Sequence, residues 1–430
     1  MIISHNPISM QSNMGQTMLS LFSQFEKEEL CQFYIYPTIP NLERCASYYR
    51  VTDKEMLAGL FRRGFVGGEI HADESCENQG MFEVQSDRKL YRNPKNKSAI
   101  RRLSRDTVWK LGNWYSNELA NWLERERPTC IFVAPGAAKF LYDIALRIST
   151  EREIPIITYL CDEYYFVKKP GELLDRYRLQ LLRQKIEALM AHTAHLVTIC
   201  EELTQVYQGT FSVEATTLMT GSSFPIAEHP RLVHQPTEIN YFGNIRANRY
   251  RSLCEIGQEL DAINRETGMA YRLNIYTAEQ DETILAHFDE IDSIRLMGYI
   301  SGDLFNRTFL SSQLLLHVEA FDAESIDRVR HSISTKLANS LASGIPLLAY
   351  GPDEISSMKY LLRNNCAIAA TTKKQLREML LMGFRYETVR RETAERGLEV
   401  AKQFHDAEKV SLQLREIVNR VSADAEAASN

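Results

Sequence analysis

The chain of 430 residues carries 50 Lys and Arg against 56 Asp and Glu, and its formal net charge is −6 at pH 7. This length favours two domains over one, and the negative charge argues against nucleic acid as a partner. The eight cysteines form no CxxC pair, so a zinc ribbon is not supported, and scattered thiols indicate a reduced, cytoplasmic protein.

The uncharged N-terminal 25 residues lack the basic start and the unbroken apolar run of a signal peptide. We predict instead a strand at 1–3, a polar turn at 13–15 and the start of a helix. No later stretch is apolar enough to span a bilayer. The expected protein is soluble, or touches membranes only peripherally.

Apolar strands then alternate with helices through the first half of the chain. We predict strands at 33–36, 130–134, 156–160 and 196–200, and helices at 52–63, 137–149, 171–191 and 201–207. The strands lack polar alternation, which is typical of parallel strands buried on both faces.

The same alternation restarts after residues 222–238, which contain three prolines and little periodicity, as interdomain linkers do. Further strands are predicted at 239–242, 272–276, 294–297, 313–318 and 346–349. A charged helical region at 386–421 and a small, polar tail at 422–430, predicted to be disordered, end the chain. The pattern predicts an α/β fold of two Rossmann-like lobes, 1–221 and 239–405, with parallel sheets facing each other across a cleft.

The strongest local motif is STKLANSLASGIP at 334–346. Ser334, Thr335 and Lys336 open a predicted helix, where free N–H groups and a partial positive charge attract anions. The alternative interpretation is an ordinary helix cap with Lys336 in solvent.

A second motif, YFGNIRANRYR, spans 241–251. Gly243 ends a predicted strand and would let backbone amides approach a phosphate, and the arginines that follow would supply forked donors. Solvated arginines are the alternative. Both motifs follow strand ends, where open α/β sheets bind ligands.

Several motifs of other nucleotide-binding classes are missing from the sequence. It contains no GxGxxG, GxxxxGK[ST] or Asp-x-Asp, so a dinucleotide dehydrogenase, a P-loop nucleotidase and a metal-bridged diphosphate are not supported. We therefore expect no metal and no other cofactor.

Carboxylates follow two further predicted strands. Glu319, Asp322 and Glu324 would bind sugar hydroxyls or form a solvated loop, and Asp162 would act as a base, bind a hydroxyl or mark a polar loop. Residues 88–110 carry nine Lys and Arg against one acid, with tryptophans nearby. This segment would contact anionic lipid or a lipid-diphosphate acceptor, or form a solvated face.

These segments resemble two-lobed (GT-B) glycosyltransferases close to glycosyltransferase family 4, especially bacterial enzymes of capsule and exopolysaccharide assembly. The matching segments lie mainly in the second lobe, at 241–249, 296–300, 314–322 and 334–352, and more weakly in the first, at 13–15, 154–165 and 198–207.

The resemblance implies a nucleotide-sugar as co-substrate, with its diphosphate held from two sides. The residues implied there are Gly243, Asn244, Arg246 and Arg249 on one loop, and Ser334, Thr335 and Lys336 on the other.

The resemblance also assigns roles to single residues. Asn339 stands where the family often has a ribose-binding glutamate, and Glu319 would contact the donor sugar. Gly15 would let the first lobe approach the donor, and Asp162 is implied as catalytic, with Cys161 in place of the family's histidine. A C-terminal helix at 406–421 would cross back onto the first lobe.

The expected function is transfer of a sugar from a nucleotide-sugar to a glycan or lipid-linked acceptor, in bacterial surface polysaccharide synthesis, in the cytoplasm or at the inner face of the plasma membrane. Two alternatives stay open. One is a nucleotide-sugar epimerase on the same fold. The other is a non-catalytic subunit of an assembly complex, which Asn339 and Cys161 favour.

Overall fold

A computed structural model of the chain describes residues 1–9, 12–61, 66–70, 99–167 and 173–429. They divide into two compact units. Unit 1 comprises Met1–Met219 and Glu408–Asn430, and unit 2 comprises Thr220–Ala407. The chain therefore leaves unit 1 once and returns to it with its last helix.

Unit 1 contains a sheet of eight strands. They are β1 (Ile2–Ser4), β2 (Cys31–Tyr34), β3 (Ser47–Arg50), β4 (Gly68–Glu69), β5 (Ile131–Ala134), β6 (Ile156–Leu160), β7 (Thr193–Thr198) and β8 (Ala215–Thr217). Their order is β4-β3-β2-β1-β5-β6-β7-β8. Neighbours pair in parallel except β3 and β4, which are antiparallel.

Some helices of unit 1 begin where the local sequence supplies capping groups. They are α1 (Asn13–Leu21), α2 (Asp53–Phe61), α3 (Ala99–Leu111), α4 (Asn117–Glu126), α5 (Lys139–Arg152), α6 (Leu173–Met190) and α7 (Glu201–Phe211). Before α2, Thr52 and Glu55 exchange backbone-to-side-chain bonds of 2.6 and 3.3 Å, a capping box. Ser116 caps α4 through the amide of Leu119.

Unit 2 contains a six-stranded, fully parallel sheet. Its strands are β9 (Glu238–Phe242), β10 (Arg272–Tyr276), β11 (Ile294–Gly298), β12 (Leu314–Val318), β13 (Leu347–Tyr350) and β14 (Ile368–Ala370). Their order is β11-β10-β9-β12-β13-β14. Every residue of β12 and β13 is buried, which is why these strands read as unbroken apolar runs.

The helices that follow these strands complete the fold. They are α8 (Arg249–Thr267), α9 (Glu282–Leu285), α10 (Gly302–Leu310), α11 (Ala323–Val329), α12 (Lys336–Ala342), α13 (Ser356–Arg363), α14 (Lys373–Arg385), α15 (Glu387–Phe404) and α16 (Ala407–Ser429). None of the helices among the described residues is long and apolar enough to cross a membrane.

The strand order reverses direction once in each sheet. In unit 1 the chain builds outward from β1 to one side and from β5 to the other, and in unit 2 it does so from β9 and β12. In open α/β sheets, ligands bind beyond the carboxyl ends of the strands at such a switch point. The topology thus marks one candidate location in each unit.

The structure of two segments differs from what their sequence patterns predict. The segment predicted as a linker, 222–238, has no regular structure before β9 but packs on unit 2, where the Ala227 and Arg231 amides donate to the carbonyls of Ala342 and Gly344. Residues 422–429, predicted to be disordered, form the last turns of α16, because Ala and Glu are strong helix formers.

Candidate functional site

A recess lies at the switch point of unit 2, beyond the carboxyl ends of β9 and β12. Its cavity volume is about 100 Å³, enough for a phosphate-sized group but below the roughly 300–1,000 Å³ of a pocket for a whole small-molecule ligand. Charged and polar side chains line one side and aromatic side chains the other. The lining includes Asn240, Asn244, Arg249, Glu319, Ser334, Lys336, Asn339, Phe242, Phe305 and Phe309.

An ion pair between Arg249 and Glu319 lies at one wall of the recess. Arg249 is the first residue of α8, and Glu319 follows the last residue of β12. Both Nε and Nη2 of Arg249 contact Glu319 Oε2, at 2.9 and 2.8 Å. Burial raises the pKa of Glu319 and the guanidinium opposes that rise. The backbone carbonyl of Glu319 is held by Ser252 Oγ at 2.9 Å, so both the backbone and the side chain of Glu319 are held by α8.

Lys336, the first residue of α12, supplies the second cation. Lys336 is exposed as a residue, yet protein surrounds the ammonium, and this desolvation, together with Arg249, lowers the pKa of Lys336 to about 8. Within the described chain its ammonium makes no hydrogen bond or ion pair. A Cβ added at Gly243 would lie 2.5 Å from Lys336 Nζ, so glycine permits this close approach.

His317 adds no charge to the recess. It is buried and its Nε2 lies 3.1 Å from Ser357 Oγ, and desolvation, helped by Arg249 and Lys336, lowers the pKa of His317 to about 3. At neutral pH, Arg249 and Lys336 therefore outweigh Glu319 by one positive charge. The recess is suited to an anion.

Arg246, which was predicted to neighbour the diphosphate, does not line the recess and pairs with Glu279. Its Nε and Nη2 donate to the two carboxylate oxygens of Glu279 at 2.5 and 2.8 Å, and this pairing lowers the pKa of Glu279 to about 2. Asn244 does line the recess, and its Oδ1 accepts the Arg246 amide at 2.7 Å.

The loop before α8 has a strained backbone. Ala247 and Asn248 have φ values of 54° and 59°, a conformation that costs non-glycine residues about 1–2 kcal/mol each. Asn248 Nδ2 donates to Asp322 Oδ2 at 3.0 Å, and Ser325 Oγ donates to the Ala247 carbonyl at 3.1 Å. These bonds hold the turn that delivers Arg249 to the recess.

The two carboxylates that follow Glu319 take part in local contacts of α11. Asp322 caps α11 through the Ser325 amide at 3.0 Å. Glu324 is exposed and pairs with Arg328 one turn later. Of the three acidic residues after β12, only Glu319 lines the recess.

Only some residues of the segment 334–346 line the recess. Ser334 and Lys336 line the recess, whereas Thr335 occupies the N-cap of α12 without a side-chain capping bond. Asn339 also lines the recess, but its Oδ1 faces away toward the start of unit 2, where it accepts from Ser222 Oγ and from the amide and Oγ of Ser223 at 2.8–3.1 Å. As assigned, that oxygen is not available to a ribose hydroxyl.

Gly15 and Asp162 belong to unit 1, so the structure does not test their predicted approach to the donor. A Cβ at Gly15 would lie 2.4 Å from the Ser9 carbonyl oxygen, so this glycine is required by local packing. Asp162 follows β6, and Tyr164 OH donates to its Oδ2 at 3.3 Å.

The basic segment 88–110 is only partly described. Residues 88–98 lie outside the described residues. In α3, Trp109 Nε1 donates to Asp53 Oδ1 at 2.7 Å, and Arg105 Nε contacts the same oxygen at 2.9 Å. Trp109 and Trp114 are both buried, so the tryptophans do not face a lipid surface.

Sequence reasoning missed the aromatic wall of the recess. Phe242, Phe305 and Phe309 pack with ring centroids 5.1–5.6 Å apart. Phe305 and Phe309 lie on α10, a nine-residue helix for which no helix was predicted. Their spacing of four residues is the signal that would have placed them on one face. No group of three or more His, Cys, Asp or Glu within the described ranges is arranged to hold a metal ion.

Solved structures with this architecture include two complexes with UDP and one UDP-forming enzyme. HepE from Anabaena, in complex with UDP, has a TM-score of 0.61 at 8% identity, over 97% of this chain and 99% of that one. An α,α-trehalose-phosphate synthase (UDP-forming) from Burkholderia vietnamiensis has a TM-score of 0.62 at 13% identity, over 99% and 98%. A mutant of S. aureus TarM in complex with UDP has a TM-score of 0.50 at 10% identity, over 69% and 57%.

No protein-family model matches the sequence, and neither does any curated protein. At identities this low the structural likeness concerns the fold. Two α/β units with parallel sheets, matched over nearly the whole chain to HepE and to the trehalose-phosphate synthase, identify the fold as GT-B.

Proposed function

We propose that the protein is a glycosyltransferase that moves a sugar from a uridine-diphosphate sugar to a glycan or lipid-linked acceptor, without a metal ion. The observation that carries the proposal is Lys336, an ammonium without a hydrogen-bond or ion-pair partner among the described residues, beside the Arg249–Glu319 pair at the switch point of unit 2. Structures of the same fold that contain UDP or UDP-glucose support the choice of nucleotide.

The proposed chemistry places a diphosphate against Lys336 and Arg249. When the bond to the sugar breaks, negative charge develops on the departing diphosphate. Two fixed cations in a partly desolvated recess stabilise that charge without reorganising. Glu319 holds Arg249 in place, so the guanidinium is oriented before the donor arrives.

Asp162 is proposed as the carboxylate that acts on the acceptor hydroxyl. It follows β6 at the carboxyl edge of the sheet in unit 1, and Tyr164 orients it. We place the reaction in surface polysaccharide synthesis, at the cytoplasmic side of the membrane, on the sequence resemblance alone.

The test is UDP binding by calorimetry to the full chain and to single variants. Lys336→Ala and Arg249→Ala should each weaken binding about 10- to 100-fold, since a hydrogen bond to a charged group contributes about 1.5–3 kcal/mol. Arg251→Ala and Lys359→Ala are matched controls, because both side chains are exposed on the same or a neighbouring helix. Asp162→Asn should lower turnover and leave UDP affinity unchanged.

Equal UDP affinity in all of these variants would refute the diphosphate site. Binding that requires added Mg²⁺, and is lost in EDTA, would refute the metal-free version. Conversion of a UDP-sugar without any acceptor would indicate an epimerase. Absence of nucleotide binding in the wild type would favour a non-catalytic subunit. Asn339 supports this alternative, because its side-chain oxygen accepts hydrogen bonds from Ser222 and Ser223.

A further inference from the structure

Unit 1 carries a group of cations at the carboxyl edge of its sheet that the proposed donor site does not use. Lys139 is the first residue of α5, directly after β5 and its loop. Arg178 lies in the second turn of α6, and Arg102 and Arg105 lie on α3. We call these four residues the cationic cluster. They gather at the β1–β5 switch point, the location in unit 1 that corresponds to the recess of unit 2.

Two members of the cationic cluster are neutralised by carboxylates. Lys139 Nζ lies 3.0 Å from Asp106 Oδ2, with both side chains largely buried. Arg105 Nε lies 2.9 Å from Asp53 Oδ1, and its Nη2 lies 3.0 Å from His5 Nε2. Burial and the nearby guanidinium of Arg105 lower the pKa of His5, so His5 adds no charge at neutral pH.

Arg178 has no such partner. The residue is 9% exposed, its Nε is buried without an acceptor, and it makes no hydrogen bond or ion pair within the described chain. Desolvation, followed by repulsion from Arg102, lowers the pKa of Arg178, and only Asp106 and Asp175 attract it from a distance. A buried guanidinium left in this state costs free energy unless something binds it.

The N-terminus of α5 adds to the same positive field. This helix has 14 residues, and its N-cap, Ala138, has no side chain that could cap it. The partial positive charge of the helix end therefore lies beside Lys139. Counting Arg102, Arg105, Lys139 and Arg178 against Asp53, Asp106 and Asp175 leaves four positive charges against three negative ones.

We infer that the cationic cluster binds a phosphate group carried by the acceptor, with Arg178 as its principal ligand. This inference rests on the proposed function, which requires an acceptor at unit 1. Phosphate oxygens match the forked donors of guanidinium, and a phosphate group would neutralise the excess positive charge of the cationic cluster. The phosphate would belong either to a soluble sugar phosphate or to a lipid-linked phosphate.

The test compares Arg178→Met with Arg176→Met in the full chain. Arg176 lies two residues earlier on α6 and is exposed, so the control removes the same charge from the same helix. Both variants are made in the Lys336→Ala background, which removes a key cation of the recess of unit 2. Calorimetry then measures binding of glucose 6-phosphate, inorganic phosphate and glucose.

The expected result is about 10-fold or more weaker binding of both phosphate compounds to Arg178→Met, with binding to Arg176→Met unchanged. Glucose should not distinguish the variants. Because Arg178 has no partner to lose, Arg178→Met should unfold at an equal or higher temperature than the parent protein, which separates a ligand role from a structural one. The same two variants are then compared for binding to vesicles containing polyprenyl phosphate, which tests a lipid-linked phosphate.

Equal phosphate affinity in Arg178→Met and Arg176→Met, or no phosphate binding by the parent, would overturn the inference. UDP titrations of proteins with Lys336 intact distinguish failure of the proposed donor site from failure of the acceptor-phosphate inference. If UDP binds and Arg178→Met leaves phosphate affinity unchanged, the acceptor inference fails alone. If UDP does not bind although Arg178→Met weakens phosphate binding, the proposed donor site fails and the cationic cluster stands as an anion site.

Discussion

Lys336 is the residue whose ionisation should be visible in a binding experiment. Desolvation and the neighbouring Arg249 lower its pKa from 10.5 to about 8. Below that pH the ammonium is charged and attracts a diphosphate, whereas above it the neutral amine does not. We therefore expect the association constant for UDP to fall as the pH rises through about 8. Calorimetry between pH 6.5 and 9.5 measures this directly.

A Lys336→Arg variant provides the control for that profile. Arginine keeps its charge throughout the range, so its UDP association constant should stay level where that of the wild type falls. A wild-type profile as level as that of Lys336→Arg would mean that Lys336 does not meet the diphosphate.

Single residues also show what local sequence motifs can predict and what they cannot. The sequence predicted that Gly243, Arg249, Glu319 and Lys336 lie near one another, and the structure brings them to or beside one recess. Gly243, Arg249 and Glu319 follow β9 and β12, which meet at the switch point, and Lys336 opens α12. Arg246 belongs to the same motif but pairs with Glu279, 33 residues further along the chain. A partner that distant leaves no trace in a local pattern.

At the scale of elements, Arg390 of α15 joins parts of unit 2 that are far apart in sequence. Its guanidinium is fully buried and donates to the carbonyls of Gly383 and Phe384 at the end of α14, and to those of Val233 and His234. It thereby satisfies helix-end carbonyls that would otherwise have no donor.

We expect Arg390→Met to lower the free energy of unfolding of unit 2 by about 3–5 kcal/mol, because two buried and two partly buried carbonyls lose a charged donor. Urea unfolding of the full chain measures the change. Arg391→Met is the matched control, since Arg391 is exposed and pairs only with Glu387 on its own helix, and it should cost less than about 1 kcal/mol. Similar losses in the two variants would contradict this role.

Long, buried helices and strands were predicted more accurately than short ones. The strands β6 and β10 have the predicted limits, since each is a five-residue run between clear turns. The three- and four-residue strands β3, β8 and β14, and the short helix α11, were missed, because so few residues carry no periodicity. Between α2 and β5 the described chain forms two helices, α3 and α4, which are separated near Gly112.

At the scale of the molecule, the two units repeat one arrangement. Each has a parallel sheet with a single reversal of strand order, and each places unneutralised cations at that reversal, around Lys336 in unit 2 and Arg178 in unit 1. Alternation of strands and helices along the sequence predicted both sheets. The unpaired state of Arg178 could not be predicted, because it depends on which carboxylates three separate helices bring nearby.

The assignment of α16 to unit 1 leads to a prediction about the whole chain. Leu414 is fully buried and packs in the same core as Ile2, Phe22 and Phe132, although the chain reaches it only after completing unit 2. Leu414→Ala should therefore lower the stability of unit 1 by about 2–5 kcal/mol. Hydrogen exchange of the most protected amides in β1 and β5 should become about 30-fold faster or more.

The amides of β9 and β12 in unit 2 should keep their exchange rates in the same variant, because no core residue of that sheet contacts Leu414 within the described clusters. Leu412→Ala is the control, since Leu412 lies on the same helix but is 43% exposed, and it should leave both units unchanged. Equal acceleration in β1 and β9 would show instead that the two units unfold as one, and that the last helix stabilises the whole chain rather than the unit it packs on.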